Sequence, residues 1–248
     1  MWIKRDFETF LSQMRPGSAH PIKVLKGPRQ VGKTSILERL GRYHKIELDD
    51  LQTRQRAQEN PRLFMDQFTG PIILDEATRA PELFPELKRR VDQFRRQLRE
   101  GKSVDEKIDI WLTGSNQTLL ENAVQESLAG RASYFDLNTL SLHEIGKLKL
   151  SEVMLKGGWP ELYGNQSLNV SSYLNDFIST FLERDIVAAA GIERSAAFTK
   201  TIGLASGRIG QLFNASDLAK NVGVELTTIQ SWIGRLEQNA IVHILQPY

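Results

Sequence analysis

The stretch Gly27-Pro-Arg-Gln-Val-Gly-Lys-Thr-Ser35 constrains the fold of this chain more than any other. Its spacing is a glycine, four residues, then Gly32-Lys33-Thr34, which is a phosphate-cradle pattern. Glycines let the backbone fold back so that several N–H groups point at one anion. A helix starting there adds the partial positive charge of its N-terminus. Lys33 can reach the β- and γ-phosphates, and the Thr34 hydroxyl can ligate Mg²⁺. The arrangement works only between a strand and a helix. The residues before it, Pro21 to Lys26, are predicted to form a strand, and Thr34 to Arg42 a helix with Ile36, Leu37 and Leu40 inward. Gly27, Pro28, Arg29, Gln30, Val31, Gly32, Lys33, Thr34 and Ser35 are therefore the candidate nucleotide contacts. A hydrolase, a kinase and a nucleotide-binding switch all remain open at this point.

A second segment narrows the choice. Pro71-Ile-Ile-Leu-Asp75-Glu76 is an apolar strand ending in two carboxylates, roughly 40 residues after the loop. Parallel sheets bind ligands at the C-terminal ends of their strands. Asp75 is placed to hold Mg²⁺ opposite Thr34, and Glu76 to polarise an attacking water. The Asp-Glu pair favours hydrolysis over transfer to a small-molecule acceptor. A third strand, Ile108 to Thr113, ends in Gly114-Ser115-Asn116, where Ser115 or Asn116 can orient water or sense phosphate. Arg131, ahead of the next strand, is either a transition-state charge, in cis or in trans, or a surface salt bridge.

Between these segments strands alternate with helices. Lys45–Leu48, Pro71–Leu74, Ile108–Thr113 and Ser133–Leu137 read as strands. Thr53–Phe68 (interrupted near Pro61), Glu82–Glu100 and Leu119–Leu128 read as helices. This alternation predicts an α/β doubly wound parallel sheet. Beyond residue 145 the pattern turns helical: Leu142–Leu155, Val170–Ala190 and Ala196–Ala205. Then Ser216–Gly223 and Thr227–Gln238 read as two helices around a tight turn, followed by a strand at Ala240–Leu245, which suggests a C-terminal winged helix.

Composition closes off other chemistries. There are no cysteines, so disulfides, thiolate metal sites and cysteine nucleophiles are excluded. His20, His44, His143 and His243 show no metal-ligand spacing. No run approaches the roughly 20 apolar residues of a membrane span, and the N-terminus has no apolar signal region. The expected location is cytoplasmic, with no membrane contact. Lys plus Arg number 32 against 30 Asp plus Glu, so any nucleic-acid contact has to be local.

In order and spacing the chain resembles the AAA+ P-loop ATPases, and more narrowly the uncharacterised prokaryotic AAA domain 14 group. The residues that carry the resemblance are GPRQVGKTSIL (27–37), IILDEATRAPELF (72–84), WLTGSNQTLL (111–120), SLAGRASYFDLNTLSLHEI (127–145), GGWPE (157–161) and FLERDI (181–186). The resemblance implies ATP rather than GTP, Walker A at 27–34, Walker B at 72–76, sensor 1 at Asn116 and an arginine finger at Arg131. It also implies a lid opened by a turn at Gly157, Gly158 and Pro160, with Arg184 and Asp185 in the lid's long helix and Arg184 as a sensor-2-like contact. The expected organisation is an AAA+ core at 1–145, a helical lid at 146–205 and a winged helix at 206–248. The expected activity is Mg²⁺-dependent ATP binding and hydrolysis driving a conformational change, in a possible homo-oligomer acting on an unknown protein client. The alternative is an ATP-dependent DNA- or protein-binding switch with little turnover. Relatives usually continue into a nuclease-like C-terminal domain, so the chain reads as a truncated form, a fragment or a natural short form.

Two surfaces are candidates for nucleic acid. The second winged-helix helix offers Thr227, Thr228, Gln230, Ser231, Arg235 and Gln238 outward, with Ile229, Ile233 and Leu236 inward. One arginine is little for phosphate contact. Lys88, Arg95, Arg96 and Arg99 share one side of the Glu82–Glu100 helix, a face suited to phosphate, to an acidic partner or to solvent.

Overall fold

A computed structural model describes residues 2–14, 20–101, 108–181, 195–238 and 241–246. The chain divides into two compact units, Met1–Gly164 and Asn165–Tyr248.

The first unit is built on a five-stranded sheet of order β2-β3-β4-β1-β5. Its strands are β1 (Ile22–Lys26), β2 (His44–Glu47), β3 (Ile72–Asp75), β4 (Ile110–Thr113) and β5 (Ala132–Asp136). Every pairing is parallel. Side chains alternate across a strand, and both faces here are apolar, as a parallel sheet covered on both sides requires. Ile22, Val24, Ile72, Leu74, Ile110 and Leu112 point to one face. There they meet Phe64 of α4 (Pro61–Asp66), Leu83, Leu87 and Val91 of α5 (Leu83–Arg99), and Leu120 and Val124 of α6 (Gln117–Leu128). Leu25, Ile73 and Trp111 point to the other face, against Leu11 of α1 (Asp6–Gln13) and Ile36 and Leu37 of α2 (Lys33–Glu38). Each fully buried Leu, Ile or Phe contributes about 1.5–3 kcal/mol, which is what holds the strand ends in place.

Local signals explain the helix boundaries. The polar segment after β2 breaks into α3 (Leu51–Glu59) and α4 because Asn60 caps α4, its side chain accepting from Leu63 N–H at 2.9 Å, with Pro61 in the first turn. The helix expected over Leu142–Leu155 is instead two, α7 (Leu142–Ile145) and α8 (Leu150–Lys156). Gly146 separates them with φ +79° and ψ −151°, a backbone region open only to glycine. A short α9 (Pro160–Gly164) ends the unit.

The second unit contains α10 (Val170–Phe181), α11 (Ser195–Ser206), α12 (Ala215–Val222) and α13 (Leu226–Gln238). The remainder of the helix expected to reach Ala190, with Arg184 and Asp185, lies outside the described residues. Asn214 caps α12, and Gly223 (φ +87°) closes it in the left-handed region. Phe198 of α11 packs edge-on against Trp232 of α13, with ring centroids 5.3 Å apart. Ile229, Ile233 and Leu236 are buried as expected. The strand expected at Ala240–Leu245 is not formed over residues 241–246. Ile241 N–H instead bonds back to Leu236 O at 2.9 Å. A lone extended segment has no partner for its backbone groups, and among the described residues of this unit there is no other strand to pair with. Among the described residues no helix is long and apolar enough to cross a membrane.

Candidate nucleotide site

The strand order decides what meets at the site. Lying side by side, β1, β4 and β3 bring three C-terminal ends together, with Leu25 opposite Thr113 and Leu74 opposite Leu112. The loop leaving β1 turns at Gly27 (φ +144°), Gln30 (φ +60°) and Gly32 (φ +89°) before α2 begins at Lys33. Gly27 has no room for a side chain, because a Cβ there stands 1.9 Å from Leu137 O. Pro28 and Val31 are buried, Arg29 half-buried, and Gln30 and Ser35 exposed. Lys33 lies buried within the loop, and its Nζ donates to Gly27 O and Pro28 O at 2.8 Å each.

The acidic pair sits directly opposite. Thr34 Oγ1 donates to Asp75 Oδ1 at 2.7 Å, across 41 positions of sequence. Thr113 Oγ1 donates to the same oxygen. Glu76 adopts the left-handed conformation (φ +54°), uncommon for a side-chain-bearing residue, as the chain leaves β3 for a short 3₁₀ turn at Ala77–Arg79. Ser115 fixes its carboxylate: the backbone N–H and the hydroxyl both donate to Glu76 Oε2 at 3.0 Å. Arg29 Nη2, from the loop, donates to Ser115 Oγ at 3.0 Å. Both carboxylates are thus held by side chains at the end of β4, and one of those is tied to the loop. Asn116 caps α6, accepting from Leu119 N–H at 2.9 Å, which fixes its orientation beside Ser115.

Arg131 is not part of this assembly. It precedes β5, whose Ala132 pairs with Ile22 at the start of β1, so it lies at the end of the sheet opposite the loop. Its guanidinium makes a two-pronged bond to Asp92 of α5, Nε to Oδ1 at 2.7 Å and Nη2 to Oδ2 at 2.9 Å. This lowers the Asp92 carboxyl below its ordinary range. Arg95 of the basic face donates to Gly130 O at 2.8 Å, and Lys88, Arg96 and Arg99 are exposed.

A family model described as an AAA domain matches residues 19–146, and one described as a domain of unknown function matches 147–248. The chain belongs to the AAA domain 14 family of AAA+ ATPases. An AAA-type ATPase domain therefore carries the loop, the two carboxylates and Asn116, which supports nucleotide binding as its function. Two uncharacterized proteins, from Mycobacterium bovis and Mycobacterium tuberculosis, are each 29% identical over 231 residues, covering 92% of this chain and 50% of their own. The chain thus spans half the length of these relatives. Among solved structures, the Aeropyrum pernix ORC2 protein in its ADP form aligns at 12% identity and TM-score 0.43, over 95% of this chain and 85% of that one. A Thermotoga maritima RuvB variant aligns at 13% and 0.37, over 88% and 80%.

Sequence reasoning reached the loop and the Asp-Glu pair but gave no role to Thr113. A hydroxyl at the end of a strand reads as a generic turn residue until the strand's neighbours are known. It also gave no role to Arg5, which lies outside every motif, or to Glu144, near the end of the 127–145 segment; their side chains are only 5% and 6% exposed.

Proposed function

We propose that this AAA domain binds ATP with Mg²⁺ and hydrolyses it. The observation that carries the reading is the 2.7 Å bond between Thr34 Oγ1 and Asp75 Oδ1, with Lys33 on the same loop turn. A hydroxyl and a carboxylate at that separation are the hard oxygen donors that Mg²⁺ takes alongside water and substrate phosphates. Bound there, Mg²⁺ would neutralise charge developing between the β- and γ-phosphates.

The chain's own residues do the rest. The loop amides between Gly27 and Ser35 cradle phosphate oxygens. Lys33 exchanges its carbonyl partners for phosphate charge. Glu76, its carboxylate aimed by Ser115, accepts a proton from the attacking water. Asn116 commits its side-chain oxygen to the α6 cap, so its amide hydrogens are the end that meets water or phosphate. Arg131 stands too far from its own loop to take part there. It serves the site of a second copy of the chain, and hydrolysis drives a conformational change.

The test is ATP hydrolysis with Mg²⁺ over a range of protein concentrations, beside Lys33→Ala and Glu76→Gln. Specific activity is expected to rise with concentration, with both variants inactive and Glu76→Gln still binding ATP. ATP binding with no turnover at any concentration would refute hydrolysis and leave a nucleotide-dependent switch.

A further inference from the structure

Arg5 lies outside every motif that builds the site, yet it is only 4% exposed. Its Nη1 donates to Val31 O at 2.8 Å, its Nη2 to Asn138 O at 2.6 Å, and its Nε to Glu144 Oε1 at 3.0 Å. The Glu144 side chain is likewise shielded, at 6% exposure. Its Oε1 also accepts from Asp6 N–H, and its Oε2 from Ser141 N–H, at 2.8 Å each. Burial pushes the Glu144 carboxyl up, but these backbone bonds and the Arg5 guanidinium outweigh it and hold it below the usual range. The Glu144 carboxylate is therefore ionised at neutral pH. Burying an ion pair is often no more stabilising than packing apolar side chains in its place, so stability alone is a weak reason for this one.

What Arg5 touches suggests another reason. Val31 precedes Gly32, and the Val31 C=O and Gly32 N–H belong to one planar, trans peptide. Its two polar groups point in opposite directions. Pinning Val31 O to Arg5 therefore turns the Gly32 N–H away from Arg5. The second anchor, Asn138, follows Leu137, whose N–H bonds Lys26 O at 2.8 Å and whose carbonyl lies against Gly27. One guanidinium thus ties the end of the loop to the strap that buttresses its beginning. Only arginine's planar fork of five N–H donors can serve three such directions at once.

We infer that Arg5, oriented by Glu144, is a positioning residue of the phosphate loop, fixing the Val31–Gly32 peptide so that the Gly32 N–H faces bound phosphate. This rests on the nucleotide-site reading and adds to it what presets the loop. Arg5 touches no phosphate itself and acts through the peptide it holds.

The experiment is calorimetric titration of wild type, Arg5→Lys, Arg5→Gln, Glu144→Gln and the Arg5→Lys/Glu144→Gln double variant. Each is titrated with Mg²⁺-ATP and with inorganic tripolyphosphate, well below its own melting temperature. Tripolyphosphate probes the loop alone. Both Arg5 variants are expected to bind each ligand at least tenfold more weakly, and Glu144→Gln by a smaller factor. The double variant should add little to Arg5→Lys, since the two residues act as one unit. If Arg5→Gln does not fold, Arg5→Lys carries the test, since it keeps the charge and loses the fork. Lower melting temperatures with wild-type dissociation constants would make Arg5 a structural residue only and overturn the inference. Failure of wild type to bind either ligand would instead overturn the nucleotide site beneath it.

Discussion

Two glycines of one motif are glycine for different reasons, and substitution separates them. At Gly27 a Cβ stands 1.9 Å from Leu137 O, a backbone atom that cannot move aside, on a backbone already at φ +144°. At Gly32 nothing lies within 4 Å of the added Cβ, and only the left-handed backbone at φ +89° resists it. Gly27→Ala is expected to cost more than about 3 kcal/mol, or to prevent folding. Gly32→Ala should cost about 1–2 kcal/mol, the ordinary penalty for an L-residue in that region. Denaturant unfolding without nucleotide checks the order, and equal losses would show that the strap at Leu137 does not press on the loop. The motif spells both positions Gly and cannot tell clash from conformation. Lys33, Thr34, Asp75 and Glu76 stood out as candidates because the loop pattern and the Asp-Glu pair are each local in sequence, and the structure brings Thr34 and Asp75 within hydrogen-bond distance. Arg5 and Glu144, 139 positions apart, did not. In the structure Ser141 and Glu144 form a helix-capping box, and nothing local to that run points to an ion pair with residue 5.

Among the helices, α5 was readable over its first turns: of the face Leu83, Leu87, Val91, Phe94 and Leu98 expected from helical spacing, the first three are buried, Phe94 is half-buried and Leu98 is 54% exposed. Its polar face was less so. Glu86 is buried, and its carboxylate takes Arg89 Nη2 at 2.7 Å and Arg90 Nε at 2.8 Å on Oε1, and Arg89 Nε at 2.7 Å on Oε2. Burial pushes this carboxyl up, but the two guanidinium groups prevail and hold it below its ordinary range. A carboxyl depressed in the folded state stabilises the fold above the ordinary glutamate range and ceases to do so as pH falls through its folded value. Wild type should therefore melt above Glu86→Gln at neutral pH, with the gap narrowing as pH falls below about 4. A gap independent of pH would assign the effect to packing. Elements whose limits depend on single residues were harder to read. Gly146 divides an apparent helix through one backbone angle. The strand expected after α13 depended on a pairing partner that periodicity does not supply.

For the molecule as a whole, the parallel sheet sets the question of how many chains make one site. With Ile22 beside Ala132 and Lys26 beside Asp136, Arg131 and the loop flank opposite ends of paired strands. At about 3.3 Å per residue the interval is roughly 15–20 Å, well beyond the reach of an arginine side chain. Within the chain Arg131 serves α5 through Asp92. Any part it plays in hydrolysis has to be played on a neighbouring copy, and that makes a prediction no single-site enzyme shares. Arg131→Ala is expected to bind ATP like wild type and to lose turnover, while Glu76→Gln binds ATP without cleaving it. In a mixture, some contacts pair an intact loop and Glu76 of one copy with an intact Arg131 of the other. Specific activity of the mixture should then exceed the sum of its parts, and rise with total concentration as the copies associate. A mixture no more active than its components would confine Arg131 to its ion pair with Asp92. The parallel register of β1 and β5 already requires one of these two answers, because it keeps the arginine away from the loop of its own chain.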